Sequence, residues 1–151
     1  MQSTQTTALW SLAERDMSSN IVAFTAYSTE SIEYVAGQHF LYSSTITNEG
    51  QNFQPSCSFF ICPDDGFYLF SINIFSNTNK DVHGAVMIEN TILTTAYAER
   101  NLDSRTQATA LVISQCARHH KVWVRERYGG EAWSDGNRYV SFSGFRLNQG
   151  V

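Results

Sequence analysis

Residues 48–71, NEGQNFQPSCSFFICPDDGFYLFS, decide the fold. Aromatic residues flank a turn built from Pro63, Asp64, Asp65 and Gly66, and a second turn signal stands at Asn48-Glu49-Gly50. Proline fixes φ and glycine accepts positive φ, so the stretch predicts two strands meeting across Pro63–Gly66. Just beyond, residues 67–75, FYLFSINIF, are apolar on both faces over much of their length. An antiparallel strand with one wet face alternates cleanly, so this run calls for cover on both sides. The sandwich core is one cover; a neighbouring subunit or a local loop is the other.

Working outward, the period is two from Ile21 onward. Strand-like runs fall at residues 21–27, 39–47, 58–61, 67–76, 83–89, 91–97, 107–114, 121–128 and 139–147. Turn clusters at 48–50, 63–66, 77–81, 101–104, 129–130 and 134–137 punctuate them. Many short strands with regular turns read as an all-β sandwich or barrel, and a jelly roll is the natural closure. Apolar parity shifts across Gly144, from Val140 and Phe142 to Phe145 and Leu147, which predicts a bulge at that glycine. The expected core is Phe24, Phe40, Phe60, Tyr68, Phe70, Val122, Val124, Phe142 and Phe145. Residues 1–20 differ: Ala8, Leu9, Leu12, Ala13 and Met17 recur near helical spacing, with Thr6 or Thr7 as a cap. That segment reads as a leader or short helical stub, ahead of a domain over 21–151.

The motif around the turn resembles the globular head of complement C1q, whose signature runs Asn-Glu-Gly, an aromatic, then Phe-x-Cys-Pro-x-x-Gly-x-Tyr-x-Phe-Ser. The matching positions are Asn48, Glu49, Gly50, Phe53, Phe60, Cys62, Pro63, Gly66, Tyr68, Phe70 and Ser71. Val22-Ala23-Phe24-Thr25-Ala26 is similar to that family's opening Val-Ala-Phe-Ser-Ala, Gln107-Ala108-Thr109 to its Gln-Ala-Ser, and Val122-Trp123-Val124 to its Val-Trp-Leu. Phe142-Ser143-Gly144-Phe145 with Leu147 resembles its closing Phe-Ser-Gly-Phe-Leu-Leu. Two departures stand out: His119-His120 replaces the family's Gly-Asp before Val-Trp, and Ser58 replaces a glycine. The resemblance implies a ten-stranded jelly roll of the C1q/tumour necrosis factor kind, a homotrimer, and secretion to the extracellular space.

Charged residues make up 16 % of the chain, against about 25 % in a typical domain. Sparse charge fits a surface partly hidden by self-association, or equally a secreted β-protein with a Ser/Thr/Asn surface. A net charge of −4 argues against general nucleic-acid binding. No uncharged apolar run approaches the ~18 residues of a membrane span. The opening MQSTQTTALW lacks a signal peptide's basic start and apolar core, and reads as a mature domain with an added Met1. Cys57 and Cys62 lie in one strand-like run, ~16 Å apart at about 3.3 Å per residue. A disulfide spans no more than about 7 Å between Cα atoms, so these two should not pair. Cys62 and Cys116 fall at interior positions of the resemblance and read as buried small hydrophobes.

Enzyme signatures are missing: no Gly-rich phosphate loop, no Gly-x-Ser-x-Gly, no Cys-x-x-Cys. His119 and His120 are adjacent, point to opposite faces of a strand, and read as a surface loop. The one basic concentration is Arg118, Lys121, Arg125 and Arg127. Trp123, Arg125 and Arg127 share a strand face, where an aromatic can stack on a sugar and guanidinium can hold carboxylate or phosphate. Pairing of these arginines with Glu126, Glu131 or Asp135, or contact with a neighbouring subunit, is the structural alternative. The loop 128–139, YGGEAWSDGNRY, adds Trp133 with Asp135, Asn137 and Arg138, an aromatic-plus-polar set suited to carbohydrate, or a tryptophan folded back on the sandwich.

Some members of the family bind calcium near the trimer apex through a carboxylate and the Gln of Gln-Ala-Ser. Here the matching residue is Gln107, with Glu99 and Asp103 supplying carboxylates, although Thr106 stands where the family has Asp. Calcium takes six to eight oxygens, so one chain supplies only part of a site. The expected function is a secreted, non-enzymatic pattern-recognition lectin of innate immunity, binding glycans or lipopolysaccharide-like anionic surfaces multivalently. The alternative is a trimeric signalling or adaptor ligand, adipokine- or cerebellin-like, for one protein receptor.

Overall fold

The structure, a computed structural model, describes residues 21–148, so the expected N-terminal stub at 1–20 lies outside the described residues. Within that range the regular structure is all strand: β1 (Ala23–Ser28), β2 (Ile32–Tyr34), β3 (Ser44–Glu49), β4 (Phe53–Gln54), β5 (Phe59–Ile61), β6 (Gly66–Phe75), β7 (Val82–Ile88), β8 (Thr91–Ala98), β9 (Gln107–Cys116), β10 (Lys121–Glu126), β11 (Gly130–Ala132) and β12 (Val140–Asn148). Ten of these strands form two five-stranded antiparallel sheets, ordered β3-β1-β12-β6-β9 and β4-β5-β10-β7-β8. The strands β2 and β11 form a separate two-stranded ribbon. This is the jelly-roll sandwich.

Alternation in the sequence becomes alternation in burial. Tyr68, Phe70, Ile72 and Ile74 of β6 point inward and are fully buried, as are Val122 and Val124 of β10. Between the sheets the rings interlock. Phe24 stacks on Phe60 at 4.8 Å and on Phe53 at 5.1 Å, and meets Phe142 edge-on at 4.9 Å. Gly144 lies in register between Phe24 of β1 and Phe70 of β6. A Cβ there would fall 2.7 Å from both rings, so only glycine lets them close over the β12 backbone. Phe40 and Tyr42 complete the layer from an irregular segment that runs beside β10, with Phe40 N–H donating to Val124 O at 2.8 Å.

The structure corrects five expectations. Residues flanking Pro63–Gly66 do not pair with each other: β5 and β6 belong to different sheets, so the turn is a crossover between layers. It is held by Arg146, whose guanidinium lies 3.0 Å from the Asp64 carboxylate, and by Tyr68 O–H donating to Asp64 O at 2.7 Å. Gly144 carries no bulge; the register shift falls between Arg146 and Asn148, and even-numbered positions from Val140 to Gly144 point inward throughout. Phe145 is therefore not core: it faces outward beside Leu69 and is 42 % exposed. The loop 128–139 is shortened by β11, which pairs with β2.

The fifth correction concerns the cysteines. Cys62 and Cys116 are bonded to each other, with Cα atoms 6.4 Å apart. Pairing of Gly66 with Cys116 at the start of β6 returns the crossover to the end of β9, which brings the two thiols together. The bridge pins the sheets to one another at one edge of the sandwich. Cys57 is free and exposed, in keeping with its exclusion from a pair with Cys62.

Ser58 and His119, which stand where the family resemblance has glycine, both adopt left-handed backbone, with φ of 55° and 72°. Such conformations are costly for residues with a Cβ. Ser58 offsets this with its buried hydroxyl, which accepts from Tyr42 N–H at 2.8 Å.

Opposite the core, the first sheet presents an apolar outer face. Phe145, Leu69 and Ile113 lie side by side across β12, β6 and β9, with Leu111 two residues along. Leu111 and Ile113 are 58 % and 55 % exposed, and Phe67 is 52 % exposed.

Truncating Phe70 to Ala should cost about 3–5 kcal/mol in chemical denaturation, because a fully enclosed ring leaves a cavity; a loss under about 1 kcal/mol would contradict this packing. Replacing Cys62 and Cys116 together by Ala reopens a loop of 54 residues. On chain-entropy grounds that should cost about 4 kcal/mol, read as a lowered Tm that added reductant no longer changes.

Candidate recognition site

Strand β10 sets the geometry. Val122, Val124 and Glu126 point into the sandwich, which forces Lys121, Trp123 and Arg125 onto the outer face of the second sheet. There the Trp123 ring meets His39 at 5.1 Å and Phe59 at 6.3 Å, while its Nε1–H donates to Glu89 O at 2.9 Å. His39 and Phe59 in turn touch at 4.5 Å, and the Lys121 ammonium lies 5.1 Å over Phe59. These side chains, with Glu89 and Asn90, line a shallow cleft of about 320 Å³. His39 Nε2 lies 2.9 Å from Ser58 O, which makes it a donor, and partial burial lowers the His39 pKa. A neutral imidazole therefore faces the cleft at pH 7. Arg125 runs beside Gly37, where a Cβ would meet its guanidinium at 3.5 Å.

The other residues singled out in the sequence do not join this cleft. Arg127 lies past the end of β10 with its guanidinium 5.0 Å over Tyr128. Trp133 packs on the sandwich between Phe75 and Tyr139, both at 5.7 Å, with the Arg105 guanidinium 3.9 Å above its ring. Arg138 covers Tyr27 at 4.3 Å, and the Asp135 carboxylate accepts Asn137 N–H at 2.8 Å within its own turn. Trp123 and Arg125 thus share one face, Arg127 sits apart, and Trp133, Asp135 and Arg138 form a third group beside β1 and β6. None of these arginines forms an ion pair with Glu126, Glu131 or Asp135 among the described residues. His39 and Phe59 were missed because they come from distant segments. The signal for Phe59 was present, since an inward Phe60 turns its neighbour outward.

Glu99 and Asp103 lie in the exposed connection between β8 and β9, and Gln107 opens β9 opposite Phe75. No group of three or more His, Cys, Asp and Glu residues gathers around a common point among the described residues. The donor set in one chain falls short of calcium's six to eight oxygens.

Glu126 is the one acidic side chain with no exposure among the described residues. Its carboxylate accepts His83 N–H at 3.1 Å and Tyr128 N–H at 3.5 Å, yet burial dominates and pushes its pKa from 4.5 to about 7. A raised folded-state pKa stabilises the fold fully below pH 4.5, and that contribution is lost as pH rises through about 7. Each tenfold change in proton affinity is worth roughly 1.4 kcal/mol, so the loss is on the order of 3 kcal/mol. Glu126→Gln removes this dependence. Relative to the wild type, it should gain stability between pH 5 and pH 8 in urea denaturation; a difference that stays constant with pH would refute the assignment.

The family model for the C1q domain matches residues 23–147. The fold is similar to the globular domain of zebrafish complement 1qA, at a TM-score of 0.68 and 14 % identity, covering 85 % of this chain and 99 % of that one. It is also similar to Eiger TNF from S. frugiperda, at a TM-score of 0.69 and 8 % identity over 87 % of this chain and 95 % of that one. Murine APRIL at pH 5.0 matches with a TM-score of 0.67 and 10 % identity, over 85 % of this chain and all of the other (100 %). At such identities the likeness establishes the jelly roll alone. The sequence match over most of the domain establishes the family: this chain belongs to the C1q domain family.

Proposed function

We propose that the protein is a secreted, non-enzymatic recognition module that binds glycans on microbial surfaces multivalently, as a homotrimer. The observation that carries this reading is the cleft of Trp123, His39 and Phe59, ringed by Lys121, Glu89 and Asn90. A half-buried aromatic wall can take the apolar face of a sugar ring, while the surrounding amine, amide and carboxylate reach its hydroxyls. Arg125 at the edge of the cleft suits anionic sugars. A site this open binds weakly, and three copies engaging together raise the effective affinity by about 10² to 10⁴.

Self-association draws support from the opposite sheet. Leu69, Leu111, Ile113, Phe67 and Phe145 form a contiguous apolar surface of the kind that proteins cover with a partner. It faces away from Trp123, so closing a trimer through it leaves the clefts free. This also accounts for the two-sided apolarity of β6.

Sedimentation equilibrium at micromolar concentration should give a mass near three times 17.0 kDa; Leu111→Asp with Ile113→Asp should give a folded monomer. On a glycan array the wild type should bind, and Trp123→Ala should lose binding by tenfold or more while remaining trimeric. If the array is blank and one protein partner binds at nanomolar affinity, the signalling-ligand reading replaces this one.

A further inference from the structure

A second concavity, about 630 Å³, opens between the start of β7 and the β2–β11 ribbon, away from Trp123. Its walls carry Glu33, Lys80, Asp81, His83, Arg100 and Tyr128. The wall is firmly built. Gly130 lies so close to the Asp81 main chain that a Cβ could not fit, and Gly129 holds φ at +92°.

Every acid around this cleft already has a partner. Glu33 pairs with Lys80, and the Asp81 carboxylate accepts Arg100 N–H at 2.7 Å and Tyr97 O–H at 3.3 Å. Glu131 accepts the Asn77 amide at 3.0 Å. The cations do not all have one. No carboxylate lies within ion-pair distance of the Arg100 or Arg127 guanidinium among the described residues, and Arg127 covers the ring of Tyr128, itself 64 % exposed. Asp81 and Glu131 have neutral donors rather than ion pairs, so the charges lining the cleft balance. The Arg100 guanidinium is the charged group there without a carboxylate partner among the described residues, and it shares the cleft with the accessible ring of Tyr128.

His83 links this cleft to the interior. Its ring is stacked on Tyr97 at 4.4 Å and meets the edge of Tyr128 at 4.9 Å. Its Nδ1 is buried without a hydrogen-bond partner, 3.5 Å from the Glu126 carboxylate. We propose that this cleft is a second, proton-linked binding site, for an anionic sugar bearing a carboxylate or sulfate. Arg100 would hold the oxyanion, Tyr128 would flank the ring, and the His83–Glu126 pair would couple occupancy to pH. The kind of molecule rests on the glycan-recognition reading, whereas the site rests on its own geometry.

The groups facing the pair are Tyr34 of β2, Asp81 ahead of β7, Tyr97 of β8, and Arg127 and Tyr128 after β10. Burial raises Tyr34 to about 12, so it stays neutral throughout the relevant range. Burial lowers His83, with Asp81 opposing and Arg127 reinforcing that shift. Near pH 7.5 an ionised Glu126 stands behind a neutral His83 and opposes an incoming anion. Acidification protonates Glu126 and removes that opposition. By linkage, a bound anion raises the pH at which the pair takes up its proton.

The test is an NMR titration of the full chain with glucuronate, glucose 6-sulfate and glucose, at pH 7.5 and pH 5.5. Glucuronate or glucose 6-sulfate should shift His83, Tyr128 and Gly130, and glucose should not. Affinity should be about fivefold tighter at the lower pH, the effect of removing one charge roughly 8 Å away at an effective dielectric of about 40. Arg100→Gln should weaken binding at both pH values. Glu126→Gln should bind at pH 7.5 as the wild type does at pH 5.5. Trp123→Ala should leave the titration unchanged, even where it abolishes array binding. The proposal is overturned if neither anion shifts His83 or Tyr128, if glucose binds equally, or if Trp123→Ala removes the shifts. It is likewise overturned if the pH dependence persists in folded Glu126→Gln.

Discussion

Ring-to-ring contact among Phe24, Phe53, Phe60, Phe70 and Phe142 is the interaction on which the rest of the molecule depends. It fixes how the two sheets face each other, because Phe24 and Phe70 close over Gly144 only where β12 offers bare backbone. Gly84 makes the matching concession in the second sheet, where a Cβ would lie 3.1 Å from Ile72. The Cys62–Cys116 bridge then ties the sheets at one edge. Once that register is set, the inward set on β10 is Val122, Val124 and Glu126, and the outward set, Trp123 included, follows.

Two outer faces result, with opposite character. On the first sheet β6, β9 and β12 present leucine, isoleucine and phenylalanine. Burying such surface is worth roughly 25 cal/mol per Å², so covering it is favourable and leaving it in water is not. On the second sheet β10 presents a tryptophan, a lysine and an arginine, with the indole packed on His39 and Phe59 and its N–H held by Glu89 O. A face of that kind suits binding through many weak contacts. On the proposed reading, assembly through one face would multiply the use of the other.

Much of this was legible in the sequence. Period-two patterning located nine of the strands and the inward positions of β6 and β10, because one buried face imposes strict alternation, although the run expected at 39–47 is irregular until β3 begins at Ser44. The short strands β2, β4 and β11 escaped, since two or three residues carry no period. Gly144 was noticed for the wrong reason: a glycine beneath two rings and a glycine at a bulge look alike without the partners. The disulfide was invisible because residues 54 apart become neighbours only through a crossover between sheets. The cleft around Trp123 was half legible as a piece of geometry. Trp123 lay on a strand of known parity, whereas His39 and Phe59 arrive from other parts of the chain. For Trp133 the sequence left two readings open, a sugar-binding ring or a ring folded back on the sandwich, and the second holds: Phe75, Tyr139 and Arg105 cover it.

The central claim is that one sheet is for self-association and the other for recognition, and hydroxyl-radical footprinting of the protein at micromolar concentration tests it most directly. Phe67, Leu111, Ile113 and Phe145 are open to solvent in a single chain, as are Leu102 and Tyr128. The account predicts strong protection of the first four and ready oxidation of Leu102 and Tyr128, with the protection fading on dilution. Oxidation of Leu111 and Ile113 at the rate of Leu102, at every concentration, would contradict it.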